Sequence, residues 1–453
     1  HSLYRSPESG ERTFGLTKTF PPFAGGATDF ARSLRNKSFV LGNGKHLSLR
    51  FGTSASVRWE TRLSVPLHHL RLGGRSGSLF GLTPDGVLHL YSVDDPHPEA
   101  SFTTFFSRIW YEGHDRPRFL WQSTGGSDAF EPKLSLVPLI VGSLKGTFYA
   151  LVFAIPIALL AAIYTSQFLS RDLRRFVKPV IEIMASLPSV VLGFLAALWL
   201  APRLEDRVPS AILILAAIPA GAIALGQIWN RMPVRIRSLV PKGWEFILVL
   251  PVLVIVSLFA WHLGPLFESL AFRYTDPQTG ATFGDFRLWW ESWSGGQFQQ
   301  RNALVVGFMM GFAVIPIIYT LSEDALSTVP RSLSSGSLAL GASRWQTTAR
   351  IVLPSASPGI FSAIMIGLGR AVGETMIVVM ATGNTPILDF DIFSGMRTLS
   401  ANIAIELPEA PQAGTLYRTL FLGAFLLFVL TFIINTFAEV LRSRLRERYK
   451  VLH

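Results

Sequence analysis

The chain contains no cysteine, which excludes a disulfide framework and any thiolate metal site. Its nine histidines fall in no HExxH or comparable ligand spacing, so no zinc centre is indicated. Charge is scarce too. Only 16% of the 453 residues are Asp, Glu, Lys or Arg, where a soluble protein carries about a quarter. No GxxxxGK run followed by Ser or Thr occurs, so the chain has no loop of its own for cradling and hydrolysing ATP. Residue 1 is His, with neither an initiator Met nor a signal-peptide pattern ahead of it. The expectation is a chain that begins partway through a longer protein.

What is abundant is apolar sequence, 49% of all residues, and it is unevenly spread. Residues 1–135 are mixed and polar, whereas the remainder holds repeated uncharged stretches long enough to cross a bilayer. The formal charge of +11 invites a nucleic-acid reading, but residues 1–135 hold 16 Lys/Arg against 12 Asp/Glu. Most of the other bases sit in short loops between apolar segments, where they orient a membrane protein.

A helix needs about 20 apolar residues to cross the hydrocarbon core. Seven segments qualify: 146–165, 183–202, 208–229, 246–266, 302–322, 357–383 and 417–438. Four intervening regions are rich in bases. They carry Arg171, Arg174, Arg175 and Lys178; Arg231, Arg235, Arg237 and Lys242; Arg331, Arg344 and Arg350; and Arg442, Arg444, Arg446, Arg448 and Lys450. They alternate with poorer loops, so the rich set is expected in the cytoplasm. Seven crossings ending inside put residues 1–135 outside; such a domain needs either a cleaved signal or an upstream helix, and with neither present a missing N-terminal span is expected.

Residues 1–135 read as strands and turns. In "GSLFGLTPDGVLHLYSVDDP", alternating apolar residues flank Pro84-Asp85-Gly86, a hairpin signal. "HLSLRFG" and "VRWETRLSV" read as further strands, and the whole as a partial propeller or small sandwich. The loop 267–301, with Trp289, Trp290 and Trp293, is expected at the outer interface as an aromatic anchor.

The sixth span, "SPGIFSAIMIGLGRAVGETMIVVMATGNTP", carries Arg370 and Glu374 near its middle. Each charge at the bilayer centre costs at least about 2.5–3.5 kcal/mol, so such residues avoid lipid. Their spacing of four places them on one helical face, where they can meet. Gly367, Gly369 and Gly373 leave that surface narrow. A guanidinium can donate a bidentate pair of hydrogen bonds to an oxyanion. A nearby carboxylate suits an anion that still carries a proton, as phosphate does and sulfate does not. The alternative is an ion pair that only fixes packing. "ASLPSVVLG" offers a second feature: Pro188 and Gly193 interrupt a membrane helix, as happens where freed backbone groups line a cavity or where a helix merely kinks.

Between spans five and six, "SLALGASRWQTTARIVLP" suggests a short helix, a break at Gly341, then an amphipathic helix ending at Pro354. This loop, 323–356, resembles the EAA loop of ABC importer permeases. Gly341, Ile351, Leu353 and Pro354 match that pattern in residue and spacing, while Ser335, Gly336 and Ser337 replace Glu-Ala-Ala. Within that superfamily the chain resembles phosphate permeases of the PstC type over about 135–453, on "VGSLKGTFYALVFAIPIALLAAIYTSQF", "IEIMASLPSVVLGF", "LALGASRWQT", "GLGRAVGETM" and "TGNTP".

The resemblance implies an α-helical polytopic membrane protein: an ABC permease core over 136–453, behind a β-rich extracytoplasmic domain over 1–135. It implies that Arg370 and Glu374 contact phosphate, with Thr375, Pro188 and Ser189 lining the pathway. It implies that Gly341, Arg344, Trp345 and Pro354 dock in a cytoplasmic ATPase. The expected partners are a second homologous permease, two copies of that ATPase and an extracytoplasmic phosphate-binding protein. The chain itself is expected to bind no cofactor, ATP and magnesium being used by the ATPase. Two rivals stay open: a permease for sulfate or molybdate, and a membrane sensor whose outer domain binds a ligand.

Overall fold

The computed structural model describes residues 2–6, 11–74, 77–125, 130–233 and 245–449. Arg235, Arg237 and Lys242, counted above among the cytoplasmic bases, lie outside the described residues, as does Lys450. The chain divides into two compact units, His1–Ile140 with Glu406–Ala424, and Val141–Ile405 with Phe425–His453.

The first unit is built on antiparallel strands. A hairpin of β1 (Ser2–Arg5) and β2 (Arg12–Gly15) precedes a four-stranded meander of β3 (Asp29–Arg32), β4 (Ser38–Asn43), β5 (His46–Phe51) and β6 (Ser56–Arg62). A three-stranded meander follows, with β7 (His68–Leu72), β8 (Ser78–Leu82) and β9 (Leu88–Ser92). The period-2 alternation of a half-buried strand shows in β4, whose inward residues are Ser38, Val40 and Gly42. Val40, Leu47, Leu49, Leu67, Leu70 and Leu79 share one buried cluster drawn from both meanders.

The strands expected around Pro84-Asp85-Gly86 are β8 and β9, paired Leu82 to Leu88. Gly86 takes φ +79 and its N–H donates to Thr83 O at 3.0 Å, the conformation that glycine adopts without steric cost. Neither meander closes into a barrel. A short helix α1 (Phe102–Phe106) and a two-residue ladder of β10 (Trp121–Gln122) with β11 (Lys133–Leu134) complete these strands.

The second unit is helical. Helix α2 (Val137–Gln167) leads to an amphipathic α3 (Arg171–Ala185), then to α4 (Ser189–Leu195), a π-turn at Ala196–Leu200, and α5 (Ala201–Glu205). Two long helices, α6 (Val208–Arg231) and α7 (Glu245–Ala271), pack on each other, and a side chain added at Gly221 would meet Val256 and Leu253. A hairpin of β12 (Arg273–Thr275) and β13 (Thr282–Gly284) precedes α8 (Phe286–Ser294) and the central helix α9 (Ala303–Ser327). Then come α10 (Arg331–Ala339), α11 (Arg344–Thr347), a second π-turn at Thr348–Val352, α12 (Leu353–Val372), α13 (Met376–Ala381), α14 (Leu399–Glu406) and α15 (Thr415–Tyr449).

Small residues let these helices approach closely, as they do where lipid supplies no hydrophobic drive between helices. Ala150, Ala154, Ala158 and Ala162, four apart on α2, are fully buried. Gly307 and Gly311 of α9 lie against Tyr149, Ala150 and Ala154, and a side chain on Gly311 would strike Ala150 O at 2.8 Å.

Among the described residues, six helices have the length and composition to cross a membrane: Val137–Gln167, Val208–Arg231, Val249–Ala271, Ala303–Ser327, Arg344–Val372 and Thr415–Arg444. The expected second span, 183–202, is not one straight helix. It straddles the break in a pair of helices, Asp172–Ala185 and Ser189–Glu205, bent by 83°. Pro188 caps α4 at that bend, whereas Gly193 lies inside the helix and does not break it.

The expected helix end at Pro354 is also absent, since the helix runs from Arg344 to Val372. A proline removes one N–H and crowds the preceding turn. A π-turn widens that turn: Leu353 N–H donates to Thr348 O, one residue before Pro354, and Ala201 N–H donates to Ala196 O, one residue before Pro202.

Candidate functional site

The depth of Arg370 is set by how α12 lies on α9. A side chain on Gly359 would meet Ala325, near the end of α9, and one on Gly367 would meet Ile318 and Val314, near its middle. Arg370, in the last turn of α12, is therefore level with the centre of the most buried spanning helix. The side chain is exposed and has no hydrogen bond or ion pair among the described residues. Its charge also complements the negative end of the helix dipole.

The expectation that Glu374 follows on the same helical face fails. Helix α12 ends at Val372, Gly373 caps it, and α13 starts at Met376. Among the described residues no ion pair joins Arg370 to Glu374. The break is held by one hydroxyl distant in sequence and one close by. Ser400 Oγ donates to Glu374 O at 3.0 Å, and Thr375 Oγ donates to Gly373 O at 3.1 Å. The Glu374 carboxylate accepts from Ile377 N at 3.4 Å, capping the first turn of α13. Glu374 and Thr375 are both half-buried. An interrupted helix level with the middle of a spanning one is the arrangement by which membrane proteins present backbone and side-chain donors to a solute.

The second break adjoins the first through α4 and α13. Gly193 permits this, because a side chain there would stand 3.0 Å from Met380 Cβ, 3.1 Å from Met376 O and 3.2 Å from Ile377 Cα. Pro188 is exposed and Ser189 half-buried, one turn before that contact.

The loop 323–356 folds as two helices around Gly341, whose φ of +89 suits glycine. Ser343 and Gln346 form a capping box at the start of α11. Ser337 and Thr347 hydroxyls meet at 3.0 Å and tie α10 to α11. The Trp345 ring lies 6.4 Å from that of Phe168, while the side chain stays 58% exposed beside an exposed Arg344 and a 91% exposed Leu340. Pro354 is half-buried within the continuing helix rather than at its end.

Three features escape a reading by hydropathy and motif. Lys145, 3% exposed on α2, pairs with Asp389 at 2.8 Å and donates to Ser394 at 2.6 Å, anchoring the segment before α14. Glu323, 2% exposed near the end of α9, pairs with Arg174 and, at 3.6 Å, with Lys178 of α3. Asn435 of α15 stands against the turn of α12 that carries Arg370: its Oδ1 is 3.5 Å from where a side chain on Gly369 would begin. The signal for Asn435 was there, an amide inside an apolar run, but it carries no charge. Trp290, expected as a plain interfacial anchor, sits in an aromatic cluster with Phe286 and Phe393 and donates to both Asp391 oxygens at 3.1 Å. Trp293 is 68% exposed.

Residues 154–447 match the family model described as the binding-protein-dependent transport system inner membrane component. The phosphate transport system permease protein PstC 1 of Mycobacterium tuberculosis is 27% identical over 306 residues, 67% of this chain and 70% of that protein. PstC of Pasteurella multocida is 26% identical over 349 residues, 77% of this chain and 83% of that protein. Among solved structures, a bacterial ABC transporter involved in the import of the acidic polysaccharide alginate superposes with a TM-score of 0.39 at 15% identity, covering 68% of this chain and 79% of that one.

Proposed function

We propose the following role for a chain that belongs to the family of binding-protein-dependent transport system inner membrane components: it forms half of the membrane pathway of an ATP-driven importer, and its cargo is inorganic phosphate. The observation that carries this reading is Arg370, an unpaired cation exposed at a helix break level with the middle of α9. A guanidinium donates two parallel hydrogen bonds to a phosphate group and stays charged at any physiological pH. Glu374, across the break, accepts the hydrogen of a P–OH group, which fully ionised sulfate lacks. That the relatives named above are phosphate permeases supports the same cargo.

The rest of the assembly follows from what the chain lacks. It has no ATP-binding loop, so a separate cytoplasmic ATPase dimer supplies the energy. The exposed Trp345 and Arg344, on a two-helix loop stiffened by the capping box, form the surface on which that ATPase pushes. A second, homologous permease supplies the facing wall. A phosphate-binding protein delivers the anion on the outer side, where residues 1–135 are exposed. Closing of the ATPase dimer moves the loop, and α12, continuous with α11 through the π-turn, carries Arg370 with it.

The test is radiolabelled phosphate uptake in cells lacking their own high-affinity system and expressing the full-length gene with its transporter partners. Wild type is compared with Glu374→Gln, with sulfate as the competing anion. ATP-dependent phosphate uptake that resists sulfate and collapses in the variant is the expected result. Uptake that sulfate competes away, or that ignores the substitution, refutes the assignment.

A further inference from the structure

Below Arg370 the helix face does not close. A cavity of about 700 Å³ opens beside α9, lined from α12 by Ser355, Gly359, Ser362 and Ile366 and from α15 by Glu439 and Arg442. The four α12 residues recur at intervals of three or four and so form one face, of which Arg370 is the next member. About 22 Å of helix, at 1.5 Å per residue, separates Ser355 from Arg370. The facing helix repeats the pattern. Asn435, Glu439 and Arg442 fall on one side of α15, and a second recess, beside Phe428, runs from Asn435 to Glu439.

Two groups along this face have nothing to bind. The Asn435 amide is exposed and has no hydrogen-bond partner among the described residues, and the same holds for the half-buried Ser362 hydroxyl. Ser355 differs, since its hydroxyl is spent on Ile351 O at 2.7 Å. Polar groups on spanning helices face a bundle interior or a water-filled cavity rather than lipid. At the cytoplasmic end Arg442 is held by Glu439 at 2.6 Å.

We propose that this face is the inward release route of the anion bound at Arg370, with Asn435 as the donor that takes it over and Arg442 as its mouth. The proposal rests on the phosphate reading above and extends it. Asn435 offers both an NH₂ donor for phosphate oxygens and a carbonyl acceptor for P–OH, and it needs no counter-charge while the route is empty. Ser362 supplies the next hydroxyl. At the mouth, Glu439 neutralises Arg442 until an arriving anion displaces the carboxylate, so the empty route presents little net charge to other cytoplasmic anions.

The native chain has no cysteine, which permits a direct test. Ser362→Cys, Asn435→Cys and Phe437→Cys are introduced one at a time into the complete transporter. Phe437 is 67% exposed and, two residues on, projects from α15 about 200° away from Asn435. Inside-out membrane vesicles are treated with anionic, membrane-impermeant methanethiosulfonate ethylsulfonate, with and without saturating inorganic phosphate, and wild-type vesicles serve as the blank. Each complex is then reconstituted with the binding protein outside and ATP inside, and phosphate uptake is compared with that of the same variant before labelling.

The expected result is labelling at 362 and 435, slowed at least about threefold by phosphate, with at least about a tenfold loss of each variant's own uptake. The Phe437→Cys variant should react slowly and without protection. Cysteines at 362 and 435 that stay unreactive, as they would if the second permease fills the cavity, overturn the route. So does labelling that phosphate does not slow, or a Phe437→Cys variant that reacts as fast. Unlabelled wild type that takes up another oxyanion in place of phosphate refutes the cargo instead, a separate reading of the same experiment.

Discussion

Replacing Gly367 with alanine would put a methyl group 2.5 Å from Ile318 Cγ1, 2.8 Å from its Cδ1 and 3.1 Å from Val314 Cγ1. Ile318 is 0% and Val314 2% exposed, so neither has space to turn into. Carbon atoms rest at about 3.5–4.0 Å, so α9 and α12 must part by about 1 Å or Ile318 must leave its rotamer. Overpacking of this kind costs about 1–3 kcal/mol. Alanine in place of glycine within a helix recovers about 1 kcal/mol. The net expectation is a loss of about 0–2 kcal/mol. Gly369 lies on the same helix, yet an added methyl there meets only Asn435 Oδ1 at 3.5 Å, an ordinary contact. Gly369→Ala should therefore gain about 0.5–1 kcal/mol. The assay is the midpoint of thermal unfolding of the purified complex for both variants beside wild type, with phosphate uptake measured in parallel. The order expected is Gly369→Ala at or above wild type, and Gly367→Ala below it with reduced uptake, since Arg370 lies less than one turn further along. A Gly367→Ala midpoint equal to or above that of Gly369→Ala would show that α9 and α12 do not meet as described, and the depth assigned to Arg370 would fall with it.

Three further outcomes are expected. Arg370→Ala should abolish phosphate uptake while the ATPase still co-purifies with the permease; loss of assembly would return Arg370 to a packing role. Lys145→Met removes a cation whose side chain is 1% exposed and leaves Asp389, 34% exposed, without its partner. Breaking a fully buried pair costs about 3–5 kcal/mol, so about 2 kcal/mol is expected here, and Asp389→Asn added to it should recover most of the loss in a thermal melt. Gly341→Ala forces alanine to φ +89, a strain on the order of 1–3 kcal/mol. Retention of ATPase on an affinity-tagged permease should drop, and unaltered retention would separate this turn from docking.

The spans that are single helices were legible because hydropathy reports burial in lipid, and α2, α6, α7, α9 and α15 each carry one apolar run. Of the two broken helices, the one at Pro188 was legible from its proline, whereas the break at Gly373 was not. A hydropathy window averages across a break, and what stabilises the break at Gly373 is a hydroxyl from Ser400 on another helix. The chemistry of Arg370 and Glu374 could be read from their rarity in an apolar run, but their geometry could not. The hairpin at Pro84-Asp85-Gly86 was readable because turn chemistry is local. The partition of strands into a four-stranded and a three-stranded sheet depends on pairings that no periodicity encodes. Lys145 and Glu323 lie at the edges of apolar runs, where a charge reads as a boundary marker until its partner is known.

The π-turn at Thr348–Val352 does more than make room for Pro354. Along a regular α-helix each residue advances by about 100°, so one extra residue in a wide turn rotates everything beyond it by roughly that angle. The turn thus acts as an indexing joint in a single rod: it sets the azimuth at which Arg370 leaves the far end relative to the azimuth of Trp345 at the near end. Deleting one residue there would leave both ends chemically whole. It would restore a uniform screw and point the guanidinium about a quarter turn away from the face it shares with Ser362.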